Sequence, residues 1–274
     1  MISFPNAKIN IGLDVLRKRP DGYHDISTIM VPVPWCDILE IVPAKGADTT
    51  LTITGRKVDC PVENNLVMKA YNALNDITPL PPLDIHLHKI IPDGAGMGGG
   101  SSDAAFTLTT INNLLQLDIS EQQLADIASQ LGADCPFFIH NSPMLATGIG
   151  TDLCPIELDL SPYVILIVKP PVLVPTKEAY QGLSPFIPSS PLEQRITLPA
   201  AQWQDAIVNN FEPSIFSKHP SVKAIKQYMI NNGAIYASMT GSGSAVYGLW
   251  ERDNLAELPS HLTADCAVFS ANLQ

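Results

Sequence analysis

Strand and helix signals along this 274-residue chain do not alternate strictly, and that irregularity predicts an α+β fold rather than a doubly wound sheet. Two further observations point the same way. A glycine-rich loop runs straight into an apolar-periodic helix, and the strand before that loop alternates apolar and polar residues instead of being apolar throughout.

Taken in order, strands are expected near 4–16, 25–42, 49–54 and 83–90. The last reads Leu83-Asp84-Ile85-His86-Leu87-His88, the pattern of a half-exposed antiparallel strand. Helices are expected over 64–77, 101–116 and 120–131. In the second of these, Ala104, Ala105, Leu108, Ile111, Leu114 and Leu115 recur at three- and four-residue spacing. The third opens on Ser120 with Gln123 three residues on, a capping box, and Leu124, Ile127, Ala128 and Leu131 form its buried face. Gly132 is its expected stop. After a loop at 148–161 the apolar run at 162–169 is a strand, and the proline cluster between 170 and 199 reads as turns or short helix. Helices over 200–211 and 221–232, the second stopped by Gly233, precede a hairpin around Gly241 and a last strand near 265–270.

The most informative segment is Pro92-Asp93-Gly94-Ala95-Gly96-Met97-Gly98-Gly99-Gly100-Ser101-Ser102. Glycines accept positive φ, so the loop can curl with its N–H groups inward, and the helix that follows adds its positive end: together they suit phosphate. A P-loop is excluded because no Lys follows Gly100. The spacing of Gly94, Gly96 and Gly99 satisfies G-x-G-x-x-G, but the alternating strand before it is not the buried strand of a dinucleotide fold. A protein-kinase loop is excluded because neither His-Arg-Asp nor Asp-Phe-Gly occurs. Ser101 and Ser102 are open to either helix capping or contact with phosphate or Mg²⁺. Asn65 is open to a capping role or to a place near adenine, with capping preferred.

Three other segments bear on the same chemistry. Thr240-Gly241-Ser242-Gly243-Ser244 is a second glycine-rich turn, between two apolar stretches. In the N-terminal strand Lys8 and Asn10 share one face while Ile9 and Ile11 share the other, and Lys is scarce in a chain with only 16 Lys and Arg. Asp134 lies among apolar neighbours in Leu131-Gly132-Ala133-Asp134-Cys135-Pro136-Phe137-Phe138, where a carboxylate is costly unless paired; Lys8 is the candidate partner.

The segments Pro5–Leu13, Pro92–Ala105, Leu131–Phe138 and Met239–Gly248, in this order, resemble the galacto-, homoserine, mevalonate and phosphomevalonate (GHMP) kinase superfamily. Arg19-Pro20-Asp21-Gly22-Tyr23-His24 is similar to an R-x-D-G-Y-H segment of the branch that acts on a cytidine-diphosphate-linked methylerythritol, in isoprenoid precursor synthesis. Met97 stands where that family usually has Leu, and Gly150 is followed by Thr151 rather than the expected Glu. The resemblance implies an N-terminal domain over 1–155, like domain 2 of ribosomal protein S5, and a ferredoxin-like C-terminal domain over 156–274. It implies an ATP-dependent phosphotransferase with an alcohol acceptor, the 2-hydroxyl of the methylerythritol unit, using ATP with Mg²⁺, and it assigns no residue as a dedicated metal ligand. Pro92 to Ser102 would hold ATP; Asp134 would be the general base, with Lys8 beside it. Tyr23 and His24 would take the cytosine by stacking and edge hydrogen bonds, and Tyr180 matches the position of a second aromatic; Asn10, Thr240 and Gly241 complete the substrate set. Another kinase of the superfamily, for mevalonate, homoserine or a sugar, and a catalytically silent nucleotide-binding relative stay open as alternatives. The other kinase would have no reason to carry the Asp-Gly-Tyr-His segment, and retention of both Lys8 and Asp134 argues against the silent one.

Composition agrees with this reading. A net charge of -11 argues against non-specific nucleic-acid or anionic-membrane binding, while leaving room for a local phosphate cradle. The five cysteines are scattered with no C-x-x-C pair, which suits reduced thiols in a cytoplasm rather than disulfides or zinc. No secretory leader and no 18-residue apolar run is present, so a soluble cytoplasmic enzyme is expected. The His residues at 86, 88, 140, 219 and 261 show no ligand spacing, and Trp35, Trp203 and Trp250 need only packing roles.

Overall fold

The computed structural model describes every residue except 182, 184–187, 256–258 and 274; the side chains of 261 and 262, and with them the reading of His261, also lie outside the description. Among the described residues there are twelve strands: β1 (Ile2–Ser3), β2 (Asn6–Lys18), β3 (His24–Cys36), β4 (Ile38–Pro43), β5 (Thr50–Gly55), β6 (Leu83–Lys89), β7 (Met144–Thr147), β8 (Asp152–Pro155), β9 (Tyr163–Lys169), β10 (Tyr236–Met239), β11 (Val246–Glu251) and β12 (Ala267–Asn272). The α-helices are α1 (Leu66–Asn75), α2 (Gly99–Leu115), α3 (Glu121–Leu131), α4 (Cys135–His140), α5 (Thr176–Gln181), α6 (Leu192–Arg195), α7 (Trp203–Ala206), α8 (Glu212–Lys218), α9 (Pro220–Asn231) and α10 (Ser260–Thr263).

The strands form three four-stranded sheets, ordered β1-β4-β6-β5, β2-β3-β7-β8 and β10-β11-β9-β12. Helices and strands segregate rather than alternate, as an α+β fold requires. The chain divides into two compact units that are not consecutive in sequence. One takes residues 1–8, 35–93 and 98–142; the other takes 9–34, 94–97 and 143–274.

In the first unit the β1-β4-β6-β5 sheet buries one face against α1, α2 and α3. Leu39, Ile41, Leu83, Ile85 and Leu87 from the strands meet Val67, Leu74, Ala104, Leu108, Ile111 and Leu124 from the helices. The alternation read in β6 is real: Leu83, Ile85 and Leu87 are buried, and His86 on the other face is exposed. The strand is antiparallel to β4, as expected, and also parallel to β5 on its other side. Helix α3 carries the full capping box of Ser120 and Gln123.

In the second unit Val164, Leu166 and Val168 of β9 and Val246 and Trp250 of β11 pack with Phe211, Ile215, Val222, Ile225 and Met229, and with Leu13, Val15 and Ile26 from the N-terminal strands. The hairpin around Gly241 is present, with Tyr236 opposite Leu249 and Met239 opposite Val246.

Several expectations need correction. The strand expected over 25–42 breaks at Asp37, whose carboxylate turns inward to accept from the Ile91 N–H at 2.8 Å. The segment at 148–161 is not all loop, because β8 pairs with β7 across the turn that follows Thr147. No single helix runs over 200–211: a short 3₁₀ turn and α7 end at Ala206, and Ile207 is extended. There the backbone pairs with β2 instead, with the Leu13 N–H donating to the Val208 carbonyl at 2.9 Å. Asn209 holds that break open. Its side-chain amide donates to the carbonyls of Met239 and Gly241, and its oxygen accepts from the Phe211 N–H, contacts a continuous helix could not reach.

Candidate active site

The glycine loop is divided between the units: residues 94–97 belong to the second, while Pro92, Asp93 and residues 98–102 belong to the first. Ala95 and Met97 are core residues at 3% and 1% exposure, so the Met that stands in place of Leu is buried apolar packing. Gly96 has φ +75, and a Cβ there would lie 2.1 Å from the Thr240 carbonyl oxygen; no side chain fits. Gly98 caps α2 with φ +70 and no side-chain cap. A Cβ on it would strike the Phe138 ring at 2.9 Å and approach Lys8 Cε at 3.4 Å. The N–H groups of the first turn of α2 therefore stay available to an anion, at the positive end of a 17-residue helix. Beside them the Ser102 hydroxyl, fully buried, finds no partner among the described residues.

Lys8 and Asp134 come together in the first unit, Nζ to Oδ2 at 3.5 Å, with Lys8 buried and the Asp134 side chain 33% exposed. Asp134 stands at the N-cap of α4, yet its side chain makes no capping bond, which leaves the carboxylate directed to Lys8. Part-exposed beside a buried ammonium, it has the features of a proton acceptor for a hydroxyl.

The same unit holds a group that the sequence reading missed. Lys89, at the end of β6, places its ammonium between Asp37 and Asp103, bonding Asp37 closely and Asp103 Oδ2 at 2.6 Å. One ammonium between two buried carboxylates leaves net negative charge. Burial first, and then the field of Asp37, push the Asp103 carboxyl up to about 7 against the pull of Lys89. Burial alone would lower Lys89, but the combined pull of Asp103 and Asp37 outweighs it and holds the ammonium above its usual range. Lys89, Asp103, Asn65, Leu66, Asp93 and Gly100 line a cavity of about 140 Å³. Asn65 does cap α1, its oxygen accepting from the Val67 N–H at 2.9 Å, while also facing this cavity. The available signal was the Asp that directly follows Ser101-Ser102 in a helix turn destined for burial.

In the second unit Asn10, Thr240 and Gly96 form one cluster. The Thr240 hydroxyl donates to the Gly96 carbonyl at 3.1 Å and accepts from the Asn10 N–H at 3.0 Å; the Asn10 amide donates to Thr28 at 3.0 Å. Gly241 packs on Gly96, since a Cβ on it would be 3.1 Å from the Gly96 oxygen. The second glycine turn thus meets the first through backbone. At the other end of β2 the Arg19–His24 segment is a turn built around Asp21, which accepts from Arg19 Nε and from the Tyr23 N–H, each at 3.0 Å. Gly22 supplies its φ of +90 with open space around it. The turn leaves Tyr23 62% exposed. His24 lies on Tyr180 with ring centres 4.9 Å apart and planes 25° apart, and Tyr180 meets Phe211 edge-on. Those two rings are already in stacking contact, so a base entering between them would have to part them.

Among the described residues no group of three or more His, Cys, Asp or Glu could hold a metal ion. No helix among them is long and apolar enough to cross a membrane.

Comparison with known proteins gives a consistent picture. A family model described as GHMP kinases N terminal domain matches residues 65–142, and one described as GHMP kinases C terminal matches 193–267. A 4-diphosphocytidyl-2-C-methyl-D-erythritol kinase from Parabacteroides distasonis is 50% identical over 273 residues, covering 100% of both chains. One from Bacteroides thetaiotaomicron is 48% identical over 253 residues, 92% of each chain. The crystal structure of a 4-(cytidine 5'-diphospho)-2C-methyl-D-erythritol kinase superposes with a TM-score of 0.80 at 32% identity over 98% of each chain. The mevalonate kinase of Methanococcus jannaschii, at TM-score 0.72 and 13% identity over 100% of this chain and 98% of its own, shares the fold alone.

Proposed function

The chain belongs to the GHMP kinases, and from that premise we propose that it transfers the γ-phosphoryl group of ATP to the 2-hydroxyl of 4-diphosphocytidyl-2-C-methyl-D-erythritol, a step of the non-mevalonate route to isoprenoid precursors. What carries the choice of acceptor is the half-identical match across the whole chain to a relative of that name. The geometry supports it through the Asp21 turn, which displays Tyr23 and sets His24 beside it, half-buried against Tyr180.

Phosphoryl transfer needs positioning and charge stabilisation more than covalent help. The N–H groups at the start of α2 bind the ATP phosphates. Asp134 accepts the proton of the 2-hydroxyl as its oxygen bonds to the γ-phosphorus and the bond from that phosphorus to the β,γ-bridging oxygen breaks, releasing ADP. Lys8 orients Asp134 and offsets the charge that develops. Mg²⁺, when bound, neutralises charge on the phosphate oxygens. The residues fit such an ion: Mg²⁺ keeps several waters and takes few protein ligands, and the unpartnered Ser102 hydroxyl is the group placed to hold it or a phosphate oxygen.

The open face of Tyr23 stacks the cytosine, worth roughly 1–3 kcal/mol, and His24, braced on Tyr180, offers its edge to the base. Asn10, Thr240 and Gly241 support the loop at Gly96 and border the acceptor. We place the enzyme in the cytoplasm, a reading supported by five cysteines that are all free. A coupled ADP-release assay across acceptors tests the proposal. Turnover is expected with the cytidylyl substrate and not with mevalonate, homoserine or galactose, and CDP alone should compete with the acceptor but not with ATP. Equal turnover of mevalonate, or no inhibition by CDP at millimolar levels, would point to another kinase of the family.

A further inference from the structure

The glycine loop leaves β6 at Lys89 and ends where α2 begins at Gly99, with Asp103 four residues into that helix, and both ends lie in the first unit. A continuous set of buried contacts joins these ends. Asp37 accepts from the N–H groups of Ile90 and Ile91, the latter at 2.8 Å, and from the Lys89 ammonium. The same ammonium bonds Asp103 Oδ2 at 2.6 Å, 14 residues further along the chain. It also lies against the exit of the loop, 3.5 Å from where a Gly99 Cβ would be. The three side chains are 0–4% exposed.

Stability does not account for this arrangement. Two carboxylates and one ammonium are removed from water, and Asp103 Oδ1 is left without a partner among the described residues. Apolar residues of similar size would serve the core as well or better. What the contacts do supply is a fixed distance across the mouth of a loop whose glycines leave it intrinsically loose. Holding that mouth in one geometry before the ligand arrives removes an ordering cost from binding.

We propose that Asp37, Lys89 and Asp103 are positioning residues: they fix the two ends of the glycine loop, and through its backbone the placement of the N–H groups that take the nucleotide's phosphates. This rests on the reading of the loop as the seat of ATP. Titration of ATP into the wild-type protein checks that reading by itself; absence of binding there would overturn it and the present proposal together.

Given wild-type binding, the test compares Asp103→Ala, which cuts the tie, with Asp103→Asn, which keeps an oxygen for Lys89. In Asp103→Ala the Kd of folded protein for ATP and the KM for ATP should rise about tenfold, while kcat at saturating ATP and the KM for the acceptor change less than about threefold. Asp103→Asn should restore most of the lost affinity. A lowered Tm with ATP affinity within about twofold of wild type in Asp103→Ala would overturn the proposal and leave a purely structural ion cluster. Should Asp103→Ala fail to fold, the double variant Lys89→Met with Asp103→Leu, which leaves Asp37 to its backbone donors, carries the measurement. The same loss of ATP affinity supports the tie; unchanged affinity, or failure of the double variant to fold, overturns it.

Discussion

Asp134 shows how a single residue can be read from what it does not do. An Asp at an N-cap ordinarily accepts from the N–H groups of the following turn, and losing that bond costs about 1 kcal/mol. Here the cap goes unused and the carboxylate stands 3.5 Å from the Lys8 ammonium. Under the proposed mechanism, Asp134→Asn keeps the shape and removes the base. Turnover should fall about 10²-fold or more with ATP affinity retained, measured as kcat against calorimetric Kd. Adding Lys8→Met should lower the rate little further if the two act as a unit; full rates in Asp134→Asn would remove it from the chemistry. Both residues were legible because a charge in an apolar run is conspicuous. Lys89 and Asp103 were not. A Lys closing an alternating strand reads as a solvated end, an Asp in a first helical turn reads as a partner of the helix dipole, and their meeting with Asp37 spans 52 residues on one side.

Among elements, the glycine loop and α2 were legible from local chemistry, whereas the break after α7 was not. The helical signal over 200–211 is overridden at Asn209 by partners near residue 240. Local pattern carries no information about such partners. Helix α4 was also missed, being only six residues, too short for periodicity to register. Within the loop the glycines differ in kind, and that difference is measurable. Gly96→Ala sets a Cβ 2.1 Å from the Thr240 carbonyl oxygen at φ +75, so loop and hairpin must separate. It should cost about 1–3 kcal/mol, seen as a lower Tm, and weaken ATP binding in the folded fraction. Gly100→Ala is the contrast. It lies inside α2, where a Cβ would make only an ordinary contact 3.8 Å from Leu66, and better helix propensity should leave Tm unchanged or raised by the equivalent of about 0.5–1 kcal/mol. Equal destabilisation by both substitutions would show that backbone entropy, rather than close approach, makes the loop glycine-rich.

At the scale of the whole molecule, the α+β class was legible because it depends only on the order of elements, but the interleaving of the two compact units depends on pairings between distant residues. The boundary near 155 stays a proposal about chain order, and a fragment test asks whether it also separates folding units. The second unit draws Leu13, Val15 and Ile26 into one core with Val164, Leu166, Phe211, Met229 and Trp250. All three are buried, at 4%, 1% and 7% exposure. At roughly 1.5–3 kcal/mol for each such side chain, their loss removes about 5 kcal/mol or more. That equals or exceeds much of the 5–15 kcal/mol by which a typical domain is stable. The loss goes beyond side chains, because the Leu13 N–H and C=O pair with Val208 and Asn210, and those backbone groups would lose their partners as well. Residues 156–274 expressed alone should therefore show no cooperative thermal transition, while the full chain melts cooperatively in the same buffer. A sharp, reversible melt of the isolated fragment would make 155 a boundary between folding units and reduce Leu13, Val15 and Ile26 to dispensable packing.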